Sequence, residues 1–259
     1  PAEVARLMLA APPDFPERGM EHYNELLQQG PLPRSADELV PREHQRWIED
    51  QYDASVATGD RWLGELFTTL AELDLTERTL IAFTGDHGEE LFDHDLLAHG
   101  HSLYDELVHV PLILAGPGIE AGARTARVVS LRQLAPTLAR HVGARMPQAA
   151  DAEDLCSSEG QDLAQFQTYK GIWTTSTGAP EPHWEKRQRL VGLQRGQLVL
   201  HWREGATSAV AAGETRLFDL SIDPGQQQDQ SEKLVQEREA LGQLLRARLE
   251  RQRAAAPEF

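Results

Sequence analysis

The chain has 259 residues, 40% apolar and 25% charged, which is enough to bury a full core and unlike the composition of a disordered polymer. Its 41 acidic against 25 basic residues leave a net charge of −16, which argues against a nucleic-acid partner, since a phosphate backbone attracts the opposite sign. No apolar run approaches the ~20 residues of a membrane-spanning helix, so no membrane segment is expected in this chain, and the lone Cys156 excludes an intrachain disulfide.

Residues 4–10 read as a short strand broken by Pro12-Pro13, and 20–28 as a short helix ending at Gly30. Residues 31–39 read as loop. A long helix is predicted over 42–73, opened by Pro41, with Trp47, Val56, Leu63, Leu66, Phe67 and Leu70 on one stripe and charges opposite. Residues 79–84 (T-L-I-A-F-T) have the form of a strand buried on both faces. A polar loop rich in His and Asp covers 85–102, and 110–115 form a second buried strand closed by Gly116-Pro117-Gly118. Val128 and Val129 suggest a short strand, and 131–141 a helix ending at Gly143. This order of helix, strand, loop, strand and helix predicts α/β layering with at least part of the sheet parallel.

The composition turns acidic, small and turn-prone over 146–160, which marks a domain boundary. Beyond it, 190–193 and 198–202 flank Arg195-Gly196 as a hairpin, and 215–220 form a further strand before the turn at Asp223-Pro224-Gly225. Ser231 is placed to cap a last helix whose Leu234, Leu241, Leu245 and Leu249 share a face. The expected division is 1–147 for the layered domain and 148–259 for a linker and a small antiparallel α+β subdomain.

The chemistry concentrates in Thr84-Gly85-Asp86-His87-Gly88-Glu89-Glu90, directly after a strand. Ligand sites of open α/β sheets lie outside the carboxyl ends of strands, and an Asp and a His there offer an oxygen and a nitrogen to one cation. A second His-rich segment follows at His99-Gly100-His101-Ser102-Leu103-Tyr104-Asp105-Glu106. Taken alone, this density suits a metal site, an anion site or a solvated polar loop.

Six ordered segments resemble the arylsulfatase-type sulfatases of the alkaline phosphatase superfamily. They are Tyr52-Asp53-Ala54-Ser55-Val56 with Asp60 and Gly64, the Thr84 to Glu90 loop, the His99 to Glu106 segment, and the strand Val110-Pro111-Leu112-Ile113. Val129-Ser130-Leu131 with Leu134-Ala135-Pro136-Thr137-Leu138, and Phe218-Asp219-Leu220 with Asp223-Pro224, complete the series. The resemblance implies an alkaline phosphatase/sulfatase-like sheet flanked by helices, present in part. It implies metal-dependent cleavage of small-molecule or glycan sulfate esters. Asp86 and His87 match divalent-metal ligands of the family, with Ca2+ expected first and Mn2+ or Zn2+ as alternatives. His99 matches the Lys or His that contacts the transferred group or the leaving oxygen, with His101 as the fallback in register.

The chain departs from the family at the nucleophile. No C/S-x-P-x-R segment occurs, because Cys156 is followed by Ser157, Ser158, Glu159 and Gly160. The simplest expectation is a chain that begins midway through the catalytic domain, inactive by itself. A phosphodiester or phosphonate monoester hydrolase of the same superfamily is the enzyme alternative, which the nucleophile segment would separate. A non-catalytic binding or regulatory remnant is the alternative of another class, and retention of Asp86, His87 and His99 together argues against it.

Overall fold

The computed structural model describes residues 11–28, 35–144, 146, 154–156, 162–170, 188–203 and 215–255. The strand expected at 4–10 and the boundary expected at 147/148 lie outside these residues. The chain divides into two compact units, Pro1–His99 with His109–Ile119, and Gly100–Val108 with Glu120–Phe259.

In the first unit, α1 spans Met20–Gln28, α2 Ala36–Leu39 and α3 Arg42–Glu72. The helix α2 falls where the sequence reads as loop. Its first N–H is taken by the Asp95 carboxylate at 2.6 Å, a cap supplied from far along the chain and so invisible to local propensity. Tyr23, Leu27, Ala36, Val40, Ile48 and Leu97 form the buried core of this unit, with Phe15 and Trp47 packed against it. His44 is buried beneath that core and bridges the Tyr23 hydroxyl and the Asp14 carboxylate, the latter at 3.0 Å.

The strands β1 (Ile81–Thr84) and β4 (Leu112–Ala115) pair as a two-stranded sheet, with Ile81 opposite Ala115 and Thr84 opposite Leu112. They run antiparallel, and no parallel pair occurs among the described strands, where part of the sheet is expected to be parallel. Parallel neighbours need a crossover, usually a helix. The connection here holds only the hairpin of β2 (Glu90–Leu91) and β3 (Leu97–Ala98) and the four-residue α4 (Asp105–Val108). Nor are β1 and β4 buried on both faces, since Phe83 and Ile113 are exposed. The apolar stripe of α3 is likewise uncovered beyond its first turns: Ile48 is buried, whereas Val56, Leu66 and Phe67 are exposed. Gly116 ends β4 at φ 125°, where a Cβ would meet the Thr79 carbonyl oxygen at 2.4 Å, so only glycine fits.

In the second unit, Ser130 begins a 3-10 turn over Leu131–Gln133 with a full capping box, and α5 (Leu134–His141) continues it to Gly143 at φ 69°. Val128 and Val129 are not in a strand. The strands β5 (Leu163–Lys170), β6 (Gln188–Arg195), β7 (Leu198–Arg203) and β8 (Thr215–Asp219) form one antiparallel sheet in that order. The hairpin expected about Arg195-Gly196 is present, with Arg195 opposite Leu198 across a two-residue turn and Gly196 at φ 56°. One face of the sheet (Val191, Leu193, Leu200, Trp202, Leu217) packs on Leu241, Leu245 and Leu249 of α6 (Val235–Ala255). Ser231 does not cap that helix. Its N–H donates to Asp229 Oδ1 at 2.8 Å, and the same oxygen accepts from Leu217 at 3.1 Å, so the segment is tied to β8 and the helix starts later. On the other face, Phe166 lies over Gly192, and the rings of His201 and Phe218 meet that of Tyr104 at 5.4 and 6.0 Å. Among the described residues no helix is long and apolar enough to cross a membrane.

Candidate active site

β1 ends at Thr84, and the next five residues hold most of the site. A Cβ at Gly85 would lie 3.2 Å from the His87 carbonyl oxygen and 3.6 Å from Val110, so a glycine here lets the loop fold close to the strand. Asp86 Oδ1 accepts the His87 N–H at 3.0 Å, while its Oδ2 lies 3.9 Å from His87 Nε2. The Gly88 carbonyl lies 2.7 Å from His87 Nδ1. A carbonyl oxygen only accepts, so Nδ1 carries the hydrogen and the lone pair of the neutral ring is on Nε2, facing the Asp86 carboxylate. Imidazole metal ligands are oriented in this way, by a backbone carbonyl on the far nitrogen.

The β2–β3 hairpin delivers the remaining groups. Glu90 pairs with Ala98, which sets Glu89 and His99 side by side just past the last rung. Glu89 Oε2 and His99 Nδ1 are 2.9 Å apart, and the His99 ring stacks near His87 with centroids 4.2 Å apart and planes at 35°. His87, Glu89 and His99 each place one ligand atom within 4.8 Å of the others. The hairpin is tightly wound, with Phe92, Asp95 and Ala98 all at positive φ, and Ala98 immediately precedes His99. Such strained non-glycine residues cost of order 1–3 kcal/mol each and cluster at functional sites.

His87 and His99 therefore share one cluster, which Asp86 touches through His87. Glu89 joins them, although the sequence shows it only as part of a polar run. The signal was the strand pairing, which no local pattern reveals in two-residue strands. His101 is buried in the second unit. Cys156 is exposed, and partial desolvation followed by the charge of Asp154 raises its thiol above the ordinary value, which disfavours a nucleophilic thiolate.

The donor set fits a divalent cation. Two ligand atoms each about 2.0–2.6 Å from an ion lie no more than about 5 Å apart, which the 3.9 Å between Asp86 and His87 satisfies. The Asp86 side chain is 92% exposed and the His87 side chain 45%, so the cluster opens to solvent and to a substrate.

Residues 17–144 match the sulfatase family model. Mouse (Mus musculus) arylsulfatase K is 33% identical over 177 residues, which are 67% of this chain and 30% of that protein. The chain thus spans about a third of the length of the curated relatives it matches. A protein solved with its substrate D-glucosamine-2-N,6-O-disulfate superimposes with a TM-score of 0.65 at 18% identity, covering 83% of this chain and 42% of that one. The phosphonate monoester hydrolase of Agrobacterium radiobacter gives a TM-score of 0.63 at 21% identity over 79% and 42% of the two chains. These two likenesses establish an alkaline phosphatase-like fold. Together with the family match across α3, β1, the Asp86–His87 loop and β4, they place the chain in the sulfatase family of the alkaline phosphatase superfamily.

Proposed function

We propose that this chain supplies one wall of a metal-dependent sulfate-ester hydrolase site, and that it lacks turnover by itself because no nucleophile segment is present. The observation that carries this reading is the contact of His87 with Asp86 on one side and His99 on the other, at the end of β1 and within the segment that matches the sulfatases. Asp86 and His87 would hold the cation, Ca2+ first, with Mn2+ or Zn2+ as alternatives. Bound there, such a cation would supply Lewis-acid polarisation of the ester group. Gly88 fixes the His87 ring so that Nε2 faces the ligand position. His99, or His101 if the register shifts, contacts the transferred group, and in its protonated form stabilises the departing oxyanion. Glu89 holds the His99 ring through Nδ1 and leaves Nε2 for the substrate. A sulfated glycan or a small sulfate ester is the substrate class, in keeping with the sulfated glucosamine named for a structural neighbour.

The test is an aryl sulfate assay on the chain alone and on a polypeptide extended N-terminally to include a sulfatase nucleophile. Turnover by the extended form only, falling about 10²-fold or more on His99→Ala, is expected. Comparable turnover by both would place the nucleophile within these residues and defeat the proposal. Faster cleavage of an aryl phosphonate than of the sulfate would favour the phosphonate monoester hydrolase reading instead.

A further inference from the structure

We propose that His87, Glu89 and His99 form a site for a Zn2+-class transition-metal ion, distinct in its ligands from the Asp86–His87 pair although it shares His87. It rests on the reading above only in using the same loop. Ligand atoms from the three residues lie within 4.8 Å of one another, the spacing of groups able to share one ion. The Gly88 carbonyl fixes the His87 tautomer with its lone pair on Nε2, and Glu89 Oε2 already stands 2.9 Å from His99 Nδ1, which would give up its proton on binding the ion. His87 thus arrives at the site already turned, which lowers the ordering cost of binding.

The donor chemistry selects the ion. Two imidazole nitrogens and one carboxylate oxygen suit a borderline cation with about four ligands, whereas Ca2+ seeks about 6–8 oxygens. Glu89 is mostly covered, with its side chain 19% exposed, and His99 is half open at 52%. That combination gives a ligand floor with at least one coordination position facing solvent. The hairpin that sets Glu89 beside His99 makes this geometry a property of the chain's own fold, independent of any nucleophile.

Binding is measured on the chain itself by calorimetric titration with Zn2+, and by the visible spectrum of the Co2+ form. Variants Glu89→Gln, His99→Ala and Asp86→Asn are compared, each checked by its thermal melt. One ion per chain is expected. Glu89→Gln and His99→Ala should each weaken it at least tenfold and bleach the Co2+ bands, a larger loss than Asp86→Asn produces. If Asp86→Asn weakens binding while Glu89→Gln and His99→Ala do not, the Asp86–His87 pair is the only site and the proposal falls. Binding unchanged in all three variants overturns it as well, by placing the ion elsewhere. None of these outcomes uses turnover, so the hydrolase reading stands or falls separately on the sulfate assay.

Discussion

Asp95, itself at φ 57° in the β2–β3 hairpin, accepts the Ala36 N–H and so starts α2. Asp95→Ala should cost about 1–2 kcal/mol in urea unfolding of this chain, with Asp95→Asn retaining part of the cap. Tyr23, His44 and Asp14 offer a second check. His44 is buried and its Nε2–H donates to Asp14, which leaves Nδ1 to accept from Tyr23. Tyr23→Phe strands that nitrogen and should cost about 1–3 kcal/mol. The hydrogen bond from His44 holds the Asp14 carboxyl below its usual value. A carboxyl depressed in the folded state adds stability that is full above its unfolded pKa and is lost as pH falls through the folded one. The melting-temperature gap between wild type and Asp14→Asn should therefore be widest near neutrality and close below about pH 4. A gap that grows on acidification would contradict the pairing. At this scale the sequence displayed Asp86, His87 and His99 because a D-H-G loop after a strand is a local pattern. It hid Glu89, Asp95 and His44, whose roles come from partners brought in by tertiary pairing.

Among the elements, β6 and β5 meet at an unusual rung, where Phe166 is directly opposite Gly192. A Cβ on Gly192 would lie 1.9 Å from the Phe166 ring, so the ring occupies the space a side chain would need. Gly192→Val should destabilise the second unit by about 1–3 kcal/mol, and Phe166→Ala combined with it should recover part of the loss. A neutral Gly192→Val would mean that the ring lies elsewhere. The long helix, the β6–β7 hairpin, β8 and the leucine face of α6 were all legible, because each carries its own period or turn. β5 was not, since its L-A-Q-F-Q-T-Y-K run has no sustained alternation and gains its place by pairing with β6. The direction of β1 against β4 was illegible for a related reason, because it depends on the connection rather than on the strands.

Taken whole, the molecule carries more apolar surface than its own layers cover. Trp62, at 62% exposure, together with Val56, Leu66 and Phe67, leaves much of α3 uncovered, while Ile113 at 59% does the same for β4. Exposed patches of this kind bind hydrophobic dyes and promote association. The chain alone should scatter light at moderate concentration, and Leu66→Glu with Phe67→Glu should reduce that scattering while changing the melting free energy by only about 0.5 kcal/mol per site. A collapse of the melt in the double variant would show that the stripe is buried in solution.

The two units interleave along the chain, which passes from one to the other after His99, returns at His109 and leaves again after Ile119. Within the second unit the Gly100–Val108 stretch relies on partners made much later: Tyr104 accepts from Arg216 at 2.8 Å, and Asp105 exchanges two hydrogen bonds with Gln226 at 3.0 and 3.1 Å. A ribosome emits the histidine loop long before those partners exist. The stretch directly following His99 therefore waits on the arrival of β8 and the turn beyond it, more than a hundred residues later in sequence. Stop codons placed after residue 203 should yield chains in which residues 100–108 are cut rapidly by chymotrypsin at Tyr104, whereas chains carried through residue 230 should resist. No single cleavage point separates the units as contiguous pieces, so the order of synthesis becomes part of how the loop is set.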